Sequence, residues 1–393
     1  MSASNTVAVI WIDWYTYHVA RFRALSEHPL LRGRVAGIEL VGGSGVYGGV
    51  LFRDEKRAGL AVTTLAPSSS WDEVGQTRLA LATWKKLNQL KPSVVLVPGY
   101  YTAPALTAAL LWTKLRGRKT ILMTETTADN HVQIAWKESI KRHVLRLFDW
   151  AVAGGAPHIR YLEALGFPAA RIAHSYDVVD NTFFGERAGK LRESGSPERF
   201  GLPAKYFLYV GRLAPEKNIG CLIEAYAYYR RSGGTWQLVL AGEGPSRPAL
   251  ETQARECGFA DTIGFAGLKS TDELAPYYAF AGAFVLPSIT EPWGLVVNEA
   301  MASGLPVIVS DQCGCAEDLV AEGENGLLFD PHDSSELAGC LIRMANLSES
   351  ERRAAASRSQ ETISNYSLES WASEVARAVG PPEIAARAAG ATR

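Results

Sequence analysis

The feature that most narrows the fold is a rhythm. Thirteen short apolar runs, rich in β-branched residues, alternate along the chain with longer stretches of helical spacing. Seven lie in the first half, at "TVAVIWID", "VAGIEL", "GLAVTTL", "SVVLVPG", "TILMTE", "WAVAGG" and "RIAHSY". Six follow, at "YFLYVG", "WQLVLAG", "TIGFAG", "GAFVLPS", "PVIVSD" and "GLLFD". Most are continuous rather than alternating, as parallel strands must be when helices cover both faces of their sheet. Each half therefore reads as its own doubly wound α/β sheet. At 393 residues the chain has room for two such domains. The polar stretch "DNTFFGERAGKLRESGSPERFGLP" reads as the connector between them. This gives a first domain over 1–182 and a second over 183–367. "TISNYSLESWASEVARAV" reads as one helix, and a C-terminal helical segment from about 368 to 393 is expected to pack back on the first domain, with Trp371 as its anchor. The final "GPPEIAARAAGATR" reads as a frayed tail.

Composition excludes several classes. No run approaches the roughly 18 to 20 apolar residues needed to span a bilayer, and the start "MSASNTVAVIWIDW" lacks the basic flank and cleavage pattern of a signal peptide. A cytoplasmic location is the expectation. Five scattered cysteines suit reduced thiols rather than a disulfide framework. Cys313-Gly-Cys315 is the one close pair, and without neighbouring ligands no metal site is expected there. Net charge is −1, but it divides: residues 1–185 hold 21 Lys+Arg against 14 Asp+Glu, and the remainder 19 against 27. Opposite signs fit either an acidic partner or membrane surface for the first half, or two halves that attract one another. No nucleic-acid partner is expected.

Ligands of doubly wound sheets bind beyond the carboxyl ends of the strands, so the residues that follow each strand carry the functional reading. Two such sheets facing one another would enclose a central cleft. After "YFLYV" comes "GRLAPEKN", where Gly211 turns the chain and Arg212 and Lys217 bring two cations, with Glu216 as an internal partner for either. "GEGP" follows the next strand with Gly242, and "GFAGLKSTDEL" the one after with Gly267 and Lys269; alone, these glycines suit structural turns as well as ligand loops. The stretch "SITEPWGLVVNEAMASGLPVIVSD" places Glu291 and Glu299 eight residues apart, with Trp293 and Gly294 between them. Pro292 and Gly294 put Glu291 in a loop, while Glu299 lies on a helix that begins near Leu295. The first-turn N–H groups of Gly294, Leu295 and Val296 then point out of the helix and favour an anion by about 0.3 to 1 kcal/mol, up to ~2 when partly buried. Joined by Arg212 and Lys217, they make a convergent site for a diphosphate. Carboxylates at Glu291 and Glu299 suit sugar hydroxyls instead.

These residues, in the order Gly-Arg-Leu…Glu-Lys-Asn, Gly-x-Gly-Pro, Glu-Pro-Trp-Gly-Leu…Asn-Glu-Ala-Met-Ala and "ENGLLFDP", resemble the retaining family-four glycosyltransferases of the GT-B fold. The resemblance is strong over about 200–335 and architectural elsewhere. It implies two Rossmann-like domains, an acceptor domain first and a donor domain second, and a nucleoside diphosphate sugar as co-substrate with no further cofactor. It implies that Arg212 and Lys217 bind the donor diphosphate, Glu299 the ribose and Glu291 the transferred sugar, with backbone N–H groups from Gly294 and Leu295. The donor half has no clustered Asp-x-Asp, which favours a metal-independent reaction. UDP-sugars lead as donors, with GDP-mannose as the alternative. The acceptor is a saccharide, a lipid-linked sugar or a small molecule. A sugar-nucleotide epimerase or hydrolase, and a non-catalytic sugar-nucleotide-binding regulator, stay open.

The first half departs from the family. Many relatives carry a glycine pair in the first strand–helix loop, and here that loop is "DWYTYHVARF", with Asp13, Tyr15, Tyr17 and His18. Where relatives often place a His after a strand, "ILMTETTADNH" has Glu125, with His131 six residues on. Asp13, Tyr15, His18, Glu125 and His131 are thus the acceptor-side candidates, and His18 reads equally as a cap or packing residue. Finally, "WKESIKRHVLRLF" sets Trp136, Ile140, Val144 and Leu147 on one face, with Lys137, Lys141, Arg142 and Arg146 mostly elsewhere. Its apolar face is expected to meet the core. The alternative is an interfacial helix that makes the protein peripheral on the inner membrane face.

Overall fold

The structure is a computed structural model and describes residues 6–43, 59–99, 103–128 and 135–380. The chain forms two compact units, one holding the described residues through Val178 together with those from Leu368 on, the other Val179–Ser367. Among the described residues no helix is long and apolar enough to cross a membrane.

The first unit is built on a seven-stranded parallel sheet of order β3-β2-β1-β4-β5-β6-β7. Its strands are β1 Val7–Trp11, β2 Val35–Val41, β3 Val62–Ala66, β4 Val94–Pro98, β5 Lys119–Thr124, β6 Trp150–Ala153 and β7 Ile172–Ala173. All five residues of β1 are buried, which is why its run carries no polar position. The helix Leu368–Val379 belongs to this unit and packs on the helix Thr16–Glu27. Trp371 is fully buried there; its Nε1 donates to the Arg21 carbonyl at 3.2 Å and its ring meets Tyr176 edge-on at 5.6 Å.

The second unit holds a six-stranded parallel sheet of order β10-β9-β8-β11-β12-β13. The strands are β8 Tyr206–Val210, β9 Gln237–Ala241, β10 Ile263–Gly267, β11 Ala283–Leu286, β12 Val307–Ser310 and β13 Gly326–Phe329. All thirteen apolar runs are therefore strands. From β8 the chain winds outward through β9 and β10, then returns to lay β11 on the other side of β8. The loops after β8 and β11 leave in opposite directions at that reversal and open a crevice beyond the carboxyl ends of the strands.

Three sequence expectations are corrected. The stretch taken as a connector holds a helix, Asn181–Ser194, that belongs to the second unit. Asp180 caps it by accepting from Phe183 N at 2.9 Å, and Phe184 and Ala188, one turn apart, bury its inner stripe. "TISNYSLESW" is not one helix, because Glu349–Ser364 ends before Asn365 and a new helix starts at Leu368. In the helix Ala135–Leu145 the apolar residues Trp136 and Ile140 face outward. Its inner side meets the core through Val144 and Leu145 and also carries Glu138 and Lys141, both satisfied by Tyr161 of the helix Ala156–Ala164. The final tail from residue 381 lies outside the described residues.

Candidate functional site

The candidate site sits at the reversal point of the second sheet. After β8, Gly211 turns with φ 153° and the loop runs through Arg212 to a short 3₁₀ turn, Pro215–Lys217. Asn218 ends that turn in the left-handed region, and its side-chain amide donates to the Pro331 carbonyl at 2.7 Å, tying the loop to the end of "ENGLLFDP". The loop after β9 is zipped alongside: Gly211 N donates to Ala241 O at 3.0 Å and Leu213 N to Glu243 O at 2.9 Å. A Cβ on Gly242 would stand 1.8 Å from the Gly211 carbonyl oxygen, so that glycine serves the close approach of two backbones. Gly267 forms a bridge with Gly242, extending the zipper to the end of β10, and Lys269 lies half-buried beyond it.

From the other side of the reversal come Ser288, Glu291 and the helix Leu295–Ala302. Gly294 precedes this helix with φ 106°, a conformation that costs an L-residue roughly 1–2 kcal/mol. The first-turn N–H groups of Leu295 and Val296 have no carbonyl partner within their own helix. Glu291 pairs with Lys217 across 74 residues of sequence, and Ser288 Oγ donates to Glu291 Oε2 at 3.3 Å. A Cβ on Gly294 would lie 3.5 Å from Glu291 Cγ, so the pair stands beside the helix start. The loop after β12 closes the back, with Gly314 N donating to Glu291 O at 2.9 Å and Cys315 N to Trp293 O at 3.2 Å.

The structure thus brings Gly211, Arg212, Lys217, Glu291, Gly294, Leu295 and Val296 to one place. Arg212 pairs with Glu216, half in solvent. Hydrogen bonding with its own backbone, more than the Arg212 charge, holds Glu216 below the usual carboxylate range. Glu299 is buried one turn into the helix and accepts from Tyr278 Oη at 2.6 Å, so it is no exposed helix charge. Trp293 is turned inward: its ring is buried against Tyr366 at 5.6 Å and its Nε1 donates to Asn298 Oδ1 at 2.9 Å. Trp293, which the sequence places among the donor-binding residues, has its ring in the core as a structural post under the Glu291 loop. Sequence reading missed Tyr278 and Asn298. The bonding of Tyr278 to a carboxylate on another helix has no local pattern. Asn298 had a local signal, its place five residues after Trp293 across a helix start.

In the first unit, the acceptor-side candidates fall at the ends of β1 and β5. Tyr15 N donates to His18 Nδ1 at 3.2 Å at the start of the helix Thr16–Glu27, and the His18 ring lies 4.8 Å from Trp11, so His18 both caps and packs. Asp13 and Tyr15 are partly buried in the same loop. Trp11 Nε1 donates to Tyr176 Oη at 3.2 Å, and the Arg21 guanidinium covers the Tyr176 ring at 4.7 Å. Glu125, after β5, hydrogen-bonds Asp177, which also meets Arg21 at 3.4 Å. His131 lies outside the described residues.

Comparison with known proteins places the second unit. Residues 196–361 match the family model for glycosyl transferases group 1. The chain is 30% identical over 210 residues to the alpha-D-kanosaminyltransferase of Streptomyces kanamyceticus, covering 53% of this chain and 54% of that protein. It is 34% identical over 222 residues to the D-inositol 3-phosphate glycosyltransferase of Thermomonospora curvata, covering 53% and 51%. The chain spans about half the length of these curated relatives. Among solved structures, sucrose-phosphate synthase from Thermosynechococcus elongatus superposes with a TM-score of 0.74 over 94% of this chain and 97% of that one, at 19% identity. That likeness is one of fold, the GT-B arrangement of two parallel sheets with interleaved helices.

Proposed function

We propose that the chain, whose residues 196–361 match the family model for glycosyl transferases group 1, moves a hexose from a nucleoside diphosphate sugar to a hydroxyl acceptor with retention at the anomeric carbon. The observation that supports this most is the Lys217–Glu291 pair, which joins a cation and a carboxylate beside a helix N-terminus at the reversal point of the second sheet. A diphosphate needs the cation and the N–H groups, while a sugar needs the carboxylate; both components of the donor are matched within one loop crossing.

In this reading the donor C1–O bond to the β-phosphate breaks as a new C1–O bond to the acceptor forms on the same face. The acceptor proton passes to the departing phosphate oxygen. Negative charge grows on that phosphate, and Arg212, Lys217 and the N–H groups of Leu295 and Val296 stabilise it more than they stabilise the intact donor. These fixed positive groups supply the charge that a metal supplies elsewhere, so we propose a metal-independent reaction. Glu291 orients the hexose and Glu299, already fixed by Tyr278, the ribose. The Arg212–Glu216 pair is no obstacle: an exposed ion pair contributes about 0–1 kcal/mol, less than charge-assisted bonds to a diphosphate return. Gly242, Gly267 and Lys269 line the nucleotide side. UDP-sugars are the first donors to test and GDP-mannose the second.

The test is release of nucleoside diphosphate from UDP-glucose, UDP-N-acetylglucosamine and GDP-mannose, with and without cell extract as acceptor source. The proposal expects acceptor-dependent release that survives a chelator, and a drop of about 10² or more in turnover for Lys217→Ala with the fold intact, on the scale of losing one oxyanion donor. Acceptor-independent release would favour an epimerase or hydrolase, and binding without release a regulator. Near-normal turnover of Lys217→Ala would remove Lys217 from the mechanism.

A further inference from the structure

The outward face of the helix Ala135–Leu145 carries a pattern that the transfer reading does not use. Trp136 is 62% exposed, Ile140 52% and Leu147, in the turn after the helix, 39%. Trp136 and Ile140, at i and i+4, share one helical stripe, and Leu147 is exposed just beyond its end. Lys137, Arg142 and Arg146 are exposed around them, and the Lys137 ammonium lies 5.6 Å from the Trp136 ring centre. Over 136–147 the single acidic residue, Glu138, points inward, held by Lys141 at 2.7 Å and by Tyr161 Oη at 2.7 Å. The outer surface of the segment is therefore apolar and cationic with no exposed carboxylate of its own.

We infer that this face docks on an anionic lipid surface, with Trp136, Ile140 and Leu147 entering the headgroup boundary and Lys137, Arg142 and Arg146 meeting lipid phosphates. An interfacial helix needs both elements, apolar anchors in a stripe and cations at its borders. Charge selects lipid over a second copy of this chain: a two-fold contact would set the same cations against themselves. The buried Glu138–Lys141–Tyr161 cluster also draws inward the one negative charge of the segment that would repel the surface. The inference stands apart from the transfer reading, because lipid affinity is read without turnover.

Flotation of the full chain tests it, with vesicles of phosphatidylcholine alone and with a third of the lipid replaced by phosphatidylglycerol. The protein should float with the anionic vesicles at low salt, remain at the bottom with the neutral ones, and be released as salt rises. Trp136→Ser combined with Ile140→Ser should lower the partition by about tenfold or more, given what burying such side chains contributes. Replacing Lys137, Arg142 and Arg146 by Gln should lower it by about a hundredfold, at roughly fivefold per cation. All these positions are exposed, so unchanged circular dichroism and urea midpoints will separate lost binding from lost folding. Leu81→Ser, an exposed apolar site on another helix, should change nothing. No flotation at low salt, equal flotation of the variants, or a dimer abolished by the apolar variant while lipid binding persists would each overturn the inference.

Discussion

Asp177 and Glu291 show how differently one fold treats its carboxylates. Glu291 keeps a cation at its side, Lys217, as a loop group poised for a ligand. Asp177 is buried, and burial first, then the neighbouring charge of Glu125, push its carboxyl well above its usual value of 3.8, against the pull of Arg21. Two carboxyl groups that share a hydrogen bond need a proton between them, and one guanidinium balances only one negative charge. A raised folded-state pKa stabilises the fold fully below the unfolded value and loses that contribution as pH rises through the folded value. Asp177→Asn mimics the protonated form and removes the titration. Urea midpoints measured from pH 5 to 9 should therefore fall for the parent chain more steeply than for the variant, and parallel curves would contradict the shared proton. The sequence displayed Glu125 as an unusual residue after a strand, but not Asp177 or Arg21, whose meeting depends on chain segments 156 residues apart. Likewise Glu291 and Glu299 were legible from local spacing, whereas the Lys217–Glu291 and Tyr278–Glu299 partnerships were not.

Elements were legible where burial is two-sided and ambiguous where it is one-sided. The central strands could be read because helices on both faces bury them and leave few polar positions, while the less buried edge strands β3 and β10 were marked by short runs between turn residues. The helix Asn181–Ser194 escaped because only Phe184 and Ala188 are buried in it, and Gly185 and Gly189 look like linker residues. Phe184 meets the Tyr278 ring edge-on at 5.9 Å, and Arg192 anchors the far end by donating to the carbonyls of Ala279 and Ser303, each at 2.7 Å. Phe184→Ala should cost about 3–5 kcal/mol in chemical denaturation, the usual loss for a buried aromatic. A solvated connector would lose almost nothing, so a shift below about 0.5 kcal/mol, the range of ordinary surface changes, would contradict the packed helix. The helix Ala135–Leu145 misled in the opposite sense. Its amphipathic period is real and Val144 does meet the core, but period alone does not show that Trp136 and Ile140 stay outside while a Tyr from a neighbouring helix satisfies Glu138 and Lys141 within.

At the scale of the whole chain, two parallel sheets each reverse their strand order once, between β1 and β4 in the first unit and between β8 and β11 in the second. That topology decides where chemistry can sit before any side chain is considered, because only at a reversal do adjacent loops part. The candidate donor site uses residues of the second unit alone: Arg212 and Lys217 from one side of the reversal, Glu291 and the start of the helix Leu295–Ala302 from the other. The central claim is that a nucleoside diphosphate is held there. Hydrogen exchange of the full chain, followed by mass spectrometry with and without saturating UDP or GDP, tests it most directly. Slowed exchange in peptides covering 211–218 and 288–299 together, with one of the two nucleotides, is the predicted result. Protection confined to the first unit, or none in either peptide with both nucleotides, would contradict it.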